Sequence, residues 1–107
     1  MTQPKPITPA AAAALLDQGA LMVDIRETAE RESGVIPMAA HAPLSALDDS
    51  KIPAEPGQAV IFHCKSGGRT EANAAALAHK VSGSDAYLLE GGIEAWRSQG
   101  LPFERPD

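Results

Sequence analysis

The stretch Val60-Ile61-Phe62-His63-Cys64-Lys65-Ser66-Gly67-Gly68-Arg69-Thr70, followed by the alanine-rich run 71–81, decides the fold of this chain. Residues 60–62 are apolar, with β-branched and aromatic side chains, and predict a buried strand. Residues 70–81 are mostly strong helix formers and predict a helix. A glycine loop between a strand and a helix is typical of an anion cradle, because the first N–H groups of a helix have no intrahelical partner.

Cys64, the only cysteine of the chain, stands at the start of this loop. The loop amides and about half a positive charge from the helix dipole are expected to stabilise its thiolate at neutral pH. A lone cysteine beside a strand is more often a small buried apolar side chain, which is the alternative here. The polar sequence that follows Cys64 is unsuited to a core, so we favour a reactive, exposed thiolate.

The six residues after Cys64 are the candidates for substrate binding: Lys65, Ser66, Gly67, Gly68, Arg69 and Thr70. The two glycines permit the turns that aim several N–H groups at one point. The guanidinium of Arg69 is expected to brace loop carbonyls or meet an anionic substrate, although Arg69 and Lys65 could also be solvated surface charges. Thr70 is predicted as the N-cap of the helix or as a hydroxyl donor to the sulfur, with the N-cap preferred.

Length and composition point to one small globular domain, 1–107. A net charge of −5 argues against nucleic acid and anionic membranes as partners. A single cysteine excludes an intrachain disulfide, and a reactive thiol favours a reducing compartment, so we expect a cytoplasmic protein. We find neither a signal-peptide pattern at the N-terminus nor the ~20 apolar residues of a membrane span.

Strand and helix patterns alternate along the rest of the chain. Short strands are predicted to end at Ile7 and to cover 21–25, 39–43 and 85–89, and helices to cover 10–18, 44–49 and 93–99. Thr8 is the expected N-cap of the first helix. The alternation predicts an α/β fold with a mostly parallel five-stranded sheet and helices on both faces, in which ligands bind at the carboxyl ends of the strands. Cys64 falls at such an end.

The other polar residues are expected to be structural or exposed. His63 should point to the opposite face of the strand from Cys64. His79 belongs to the predicted helix, His41 cannot be placed, and Asp24 is expected to make structural hydrogen bonds. No spacing suggests a metal site, and we expect no cofactor.

Five segments of the chain together resemble the rhodanese family of sulfurtransferases, most closely the rhodanese domain of a bacterial inner-membrane sulfurtransferase. Each match is weak alone, but five in the right order and spacing are specific. Three positions depart from the family pattern: Arg31 replaces an aromatic residue, Val35 a histidine and Met38 a frequent glycine. These departures affect the expected packing near residue 35 and leave the loop untouched. The matching segments are 23–27 (Val-Asp-Ile-Arg-Glu), 30–37 (Glu-Arg-Glu-Ser-Gly-Val-Ile-Pro), 41–44, 64–70 and 89–96 (Leu-Glu-Gly-Gly-Ile-Glu-Ala-Trp).

This resemblance implies a rhodanese-like fold and persulfide chemistry. Cys64 would take a sulfane sulfur from a donor such as thiosulfate and pass it to cyanide or a thiol, with a thioredoxin-like reductant as one acceptor by analogy. The implied enzyme is a thiosulfate sulfurtransferase.

Two alternatives remain open at this point. A sulfur-carrier or redox-sensing module is compatible with an exposed thiolate. A phosphatase or arsenate reductase of related fold is less favoured, because those families carry Cys-x5-Arg and this chain has Cys-x4-Arg. The shorter loop makes a cradle suited to one sulfur atom and tight for a phosphoryl group.

Overall fold

The computed structural model of this chain describes residues 3–105. Its longest helix has nine residues, and no helix in that range is long and apolar enough to cross a bilayer. Two 3₁₀ helices accompany the strands and α-helices. The elements are β1 (Lys5–Ile7), α1 (Pro9–Asp17), β2 (Leu21–Asp24), the first 3₁₀ helix (Thr28–Ser33), β3 (Ala40–His41), the second 3₁₀ helix (Leu44–Asp49), β4 (Val60–His63), α2 (Gly68–Ala72), α3 (Ala74–Lys80), β5 (Ala86–Leu89) and α4 (Gly92–Ser98).

The five strands form one sheet in the order β1-β5-β4-β2-β3, and every neighbouring pair is parallel. The predicted five-stranded sheet is therefore confirmed. β4 lies at its centre, between β5 and β2. The chain that leaves β4 at Cys64 thus emerges in the middle of the carboxyl edge, flanked by the chain leaving each neighbouring strand.

Alternating side chains of the strands bury two apolar clusters, one on each face of the sheet. One cluster includes Val23, Phe62 and Leu88 and is covered by Leu77 of α3. The other includes residues 22, 61 and 89 and is covered by Ala12 of α1 together with Trp96 of α4. Helices on both faces, as predicted, therefore follow from the period of the strands.

The start of α1 agrees with the sequence signals. The side chain of Thr8 accepts a hydrogen bond from the N–H of Ala11 at 3.2 Å, and Pro9 occupies the first helical position. Because a proline has no N–H, it leaves no donor unsatisfied there.

The predicted single helix over 70–81 is wrong in two respects. The helix starts earlier, at Gly68, after the N-cap Gly67, whose φ of 103° lies in the left-handed region. It is also interrupted at Asn73, whose side-chain Nδ2 donates to the carbonyl of Arg69 at 2.8 Å. Asparagine favours such local hydrogen bonds over a regular helix. Thr70 is consequently a buried residue of the first helical turn and not the N-cap.

Met38 has a backbone φ of 68° and is the only residue other than glycine with a positive φ in the described part of the chain. Its side chain is 94% exposed, so it gains little from burial. Glycine adopts this backbone conformation without strain, so it would suit the position better than methionine.

We expect Met38→Gly to stabilise the protein by about 0.5–1 kcal/mol. The substitution removes the cost of about 1–2 kcal/mol that the left-handed conformation imposes on an L-residue, but the larger backbone entropy that glycine loses on folding cancels part of this gain. The free energy of unfolding in urea measures the effect. Met38→Ala is the matched control: it also removes the exposed side chain but keeps the backbone strain, so it should give no gain. Equal stabilities of the two variants would contradict the strain argument.

Candidate active site

Cys64 follows β4 at the carboxyl edge of the sheet, as predicted, but it is only 1% exposed. The expectation that this sulfur is exposed is therefore wrong. The side chain joins the apolar cluster that contains Ile25, Leu47 and Leu77. Its sulfur nevertheless accepts a hydrogen bond from the N–H of Gly67, with an N···Sγ distance of 3.1 Å. Sγ thus lies between an apolar wall and the backbone of the loop.

The two carbonyl groups at the start of the loop are held by the first amides of α4. The N–H of Ile93 donates to the carbonyl of Cys64 at 3.0 Å, and the N–H of Glu94 donates to that of Lys65 at 3.1 Å. In a planar trans peptide the C=O and N–H groups point in opposite directions. The N–H groups of Lys65 and Ser66 therefore point away from α4.

Several loop amides keep their hydrogen-bonding capacity. Within residues 3–105, the N–H groups of Ser66, Gly68, Arg69 and Thr70 donate to no backbone carbonyl. Clustered N–H groups of this kind form an anion-binding concavity. Among the amides of residues 65–70, only the N–H of Gly67 donates to the sulfur of Cys64, so a complete ring of donors around this sulfur stays a prediction.

Gly92 allows the close approach of α4 to the loop. A Cβ at this position would lie 2.5 Å from the carbonyl oxygen of Lys65 and 2.7 Å from that of Cys64. Its φ of 59°, and that of 73° at Gly91, also lie in the left-handed region. The sequence analysis did not identify this contact with the loop. The signal available was the double glycine directly before a helix.

Arg69 forms a two-pronged ion pair with Glu30, with both N···O distances at 2.7 Å. This ion pair differs from both predicted uses of Arg69, which were to brace loop carbonyls and to meet an anionic substrate. The hydrogen bonds from Arg69 lower the pKa of Glu30 from 4.5 to about 2, and the same contact raises the pKa of Arg69. Glu30 is a site residue that the sequence did not identify, because 39 residues separate it from its partner.

The first 3₁₀ helix holds Glu30 in place for this pair. The N–H of Glu27 donates to Oε1 of Glu30 at 3.0 Å. The carboxylate of Glu27 in turn accepts hydrogen bonds from the hydroxyl and the N–H of Ser45. These contacts tie the segment that carries Glu30 to the second 3₁₀ helix, so Arg69 meets a carboxylate that is already oriented.

The remaining predicted site residues occupy different surroundings. Lys65 is exposed and lines a cleft of about 180 Å³ together with Glu94 and Arg97. Ser66 is exposed on another side of the loop, beside a wider hollow that Gly67, Gly68 and Thr70 also line. The hydroxyl of Thr70 lies 4.0 Å from Sγ and donates to the carbonyl of Gly67 at 3.0 Å. Because its hydrogen is used there, Thr70 is not a donor to the sulfur.

A buried charged cluster lies behind the loop, on the face of the sheet opposite Cys64. Asp24 is fully buried and receives hydrogen bonds from Nε and Nη2 of Arg26, at 3.1 and 2.9 Å. Burial opposes the charge of Asp24, but the hydrogen bonds from Arg26 outweigh it and lower the pKa of Asp24. His63 is the register partner of Asp24 and is also fully buried. The structural role expected for Asp24 agrees with these contacts.

The two other histidines lie away from the sulfur. Nε2 of His41 is 2.8 Å from the carbonyl oxygen of Arg26, which places a residue that the sequence could not place. His79 is exposed on α3. Neither His41 nor His79 is placed to act as a base for Cys64.

Residues 8–99 match the family model of the rhodanese-like domain. The chain belongs to the rhodanese-like family. It is 34% identical to a thiosulfate sulfurtransferase GlpE of Pseudomonas savastanoi pv. phaseolicola (strain 1448A / Race 6), over 92% of each chain. The predicted family is thereby confirmed, whereas the closer kinship with an inner-membrane enzyme stays a prediction.

Solved rhodanese-like structures share the fold. A rhodanese-related protein from Thermoplasma volcanium superposes with a TM-score of 0.80 at 25% identity, over 94% of this chain and 97% of the other. A protein of unknown function from Rhodopseudomonas palustris, described as a possible tyrosine phosphatase, superposes with a TM-score of 0.77 at 32% identity, over 94% and 85%. The predicted rhodanese-like fold is confirmed.

Two departures from the rhodanese pattern can be located. Nε of Arg31 lies 3.7 Å from Oδ2 of Asp24, so the residue that replaces an aromatic adds a second guanidinium to the buried cluster. Val35 is buried and makes an isolated antiparallel bridge with Glu104. Both departures affect packing behind the loop, as expected, and neither touches Cys64.

Gly92→Ala should destabilise the protein by more than about 2 kcal/mol, because it adds a backbone clash to the left-handed strain of about 1–2 kcal/mol. Gly100→Ala is the matched control: its φ is 73°, but a Cβ there meets nothing within 4 Å. Urea unfolding of both variants measures the difference. A Gly92→Ala protein as stable as Gly100→Ala would show that the loop does not need the close approach of α4.

Glu30→Gln should make stability less sensitive to acid. The pKa of Glu30 is about 2 in the folded protein against an ordinary 4.5, so its contribution is complete above about pH 4.5 and is lost as the pH falls towards 2. Between those values the urea midpoint of the wild type should fall more steeply than that of Glu30→Gln. Glu32→Gln, which changes an exposed carboxylate of the same 3₁₀ helix, should follow the wild type. If the urea midpoints of all three proteins changed equally with pH, the ion pair between Glu30 and Arg69 would not contribute to stability.

Proposed function

We propose that this chain is a thiosulfate sulfurtransferase that works through a persulfide on Cys64. The observation that carries the proposal is the loop itself: Sγ of Cys64 accepts the N–H of Gly67, and further amides of the same turn have no carbonyl partner within residues 3–105. Such a turn is built to hold negative charge beside a sulfur nucleophile. The activity named for the GlpE relatives supports the same reaction.

In the first half of the reaction, the thiolate of Cys64 attacks the sulfane sulfur of thiosulfate. The bond from Sγ to the sulfane sulfur forms as the sulfur–sulfur bond of thiosulfate breaks, and sulfite leaves with the electron pair of that bond. The product is Cys64–S–S⁻, so the total charge is unchanged. The free loop amides would receive the negative charge on the outer sulfur, which is where it develops during the reaction.

In the second half, a nucleophile attacks the outer sulfur and Cys64 leaves as the thiolate. Cyanide gives thiocyanate in this step, and a thiolate gives its own persulfide. The thiol of a small molecule or of a thioredoxin-like protein is the proposed physiological acceptor. Two half-reactions on one nucleophile predict ping-pong kinetics.

The burial of Cys64 restricts what can react in each half. With 1% exposure, Sγ is accessible only to a small donor that enters the loop. The outer sulfur of the persulfide lies about 2 Å beyond Sγ, because that is the length of a sulfur–sulfur bond. The acceptor therefore meets a sulfur closer to the surface, and it can be larger than the donor.

The alternatives are less well supported by the contacts of the loop. A redox sensor would use the same buried Cys64, and no contact of the loop favours this role over sulfur transfer, which the named activity of the GlpE relatives supports. A phosphatase of this loop type needs an arginine fork for the phosphoryl oxygens, and both Nη atoms of Arg69 are engaged by Glu30. One solved structure described as a possible tyrosine phosphatase nevertheless makes phosphatase activity worth including in the test.

The wild type incubated with thiosulfate should gain the mass of one sulfur atom on Cys64, and it should form thiocyanate on addition of cyanide. Cys64→Ser should lose both signals while keeping the circular dichroism spectrum of the folded protein, because serine preserves the shape of the side chain but cannot form a persulfide. Intact-mass spectrometry and a thiocyanate assay measure the two outcomes.

The proposal fails if the wild type gains no sulfur and makes no thiocyanate. Hydrolysis of an aryl phosphate that is lost in Cys64→Ser would establish the phosphatase instead.

A further inference from the structure

We propose that His63 is a positioning residue for the loop, and that its Nδ1–H fixes the direction of the first peptide group after the nucleophile. This inference rests on the proposed sulfur transfer for its kinetic consequence. The sequence suggested only that His63 points away from Cys64, and the reaction described above does not use it.

The ring of His63 has a hydrogen-bond partner at one of its two nitrogen atoms. It is fully buried, and its Nδ1 lies 3.1 Å from the carbonyl oxygen of Cys64. Its Nε2 is buried without a hydrogen-bond partner in the described part of the chain. A carbonyl oxygen only accepts, so the contact is a hydrogen bond only if Nδ1 carries the hydrogen. The geometry thus selects the tautomer in which Nδ1 is protonated.

The carbonyl of Cys64 is consequently held from two sides. His63 donates to it from the end of β4, and the N–H of Ile93 donates from the start of α4 at 3.0 Å. Two donors leave this peptide plane little freedom to rotate. Because the C=O and N–H of one peptide oppose each other, the N–H of Lys65 is turned to the side away from both donors. That N–H is the first amide after the nucleophile.

The surroundings of His63 keep the ring in place and neutral. Oδ2 of Asp24, on the neighbouring strand β2, lies 3.9 Å from Nε2. Arg26 pairs with the same carboxylate, and Arg31 of the first 3₁₀ helix approaches it to 3.7 Å. Burial lowers the pKa of His63, and the two guanidinium groups add to this effect, whereas Asp24 opposes it. At neutral pH the imidazole is therefore uncharged and acts as a donor through Nδ1 alone.

Two amide substitutions separate the position of the donor from the polarity of the side chain. His63→Asn places an amide nitrogen where Nδ1 lies, whereas His63→Gln places it near the position of Nε2, out of line with the carbonyl of Cys64. We expect His63→Gln to lower kcat for sulfur transfer from thiosulfate to cyanide about tenfold, the loss that corresponds to one buried hydrogen bond. His63→Asn should recover most of this loss. His79→Asn, at an exposed histidine of α3, should behave as the wild type.

A readout that does not need sulfur transfer keeps the inference separate from the proposed function. The alkylation rate of Cys64 with iodoacetamide at pH 7, divided by its plateau rate at high pH, reports how well the loop stabilises the sulfur anion. This ratio should fall about three- to tenfold in His63→Gln and recover in His63→Asn. Absence of thiocyanate from the wild type would end the proposed function, while the alkylation ratios would still test the role of His63.

Two results would overturn the inference. Equal alkylation ratios in the wild type and both His63 variants would show that the ring only fills space. Equal losses in both variants would show that the position of the donor does not matter. Because either variant could fail to fold, the tautomer is also measured in the wild type by ¹⁵N NMR of the imidazole. A ring protonated at Nε2 and bare at Nδ1 would exclude the hydrogen bond.

Discussion

The capture of the loop carbonyls by the first amides of α4 is the contact on which the rest of the site depends. The N–H groups of Ile93 and Glu94 hold the carbonyls of Cys64 and Lys65 towards α4, and so the following amides are turned away from α4. The contact needs β5 beside β4 in a parallel sheet, because only then do the two chains leave the same edge next to each other. It also needs Gly92, since any side chain there would meet both carbonyls.

The backbone amides of the loop supply a positive electrostatic potential that does not come from a charged side chain. The chain has a net charge of −5, and the guanidinium of Arg69 is paired with Glu30. An anion at the loop therefore meets backbone dipoles and the exposed charge of Lys65. Amide dipoles do not titrate, so this potential does not depend on the protonation of a side chain. The ion pair between Glu30 and Arg69 connects the start of α2 to the first 3₁₀ helix and so supports the loop mechanically.

The strands, the parallel sheet and the position of Cys64 at its edge could be predicted, because apolar runs that alternate with helix patterns leave few topologies. The break at Asn73 could not, since one side-chain hydrogen bond overrides the propensity of an alanine-rich run. The partner of Arg69 was missed because a single sequence does not reveal pairing across 39 residues. Cys64 shares a buried apolar cluster with Ile25, Leu47 and Leu77 from three separate segments, and no local pattern encodes that meeting.

That burial changes how the loop should be understood chemically. Cys64 belongs to an apolar cluster, and among the loop amides only the N–H of Gly67 donates to its Sγ. In the proposed persulfide the charge moves to the outer sulfur, about 2 Å further from that cluster. The free amides of Ser66, Gly68 and Arg69 belong to the turn into which that sulfur would extend. In the proposed reaction the turn would thus meet the negative charge where it develops, on the outer sulfur, which is the condition for catalysis by a preformed electrostatic environment.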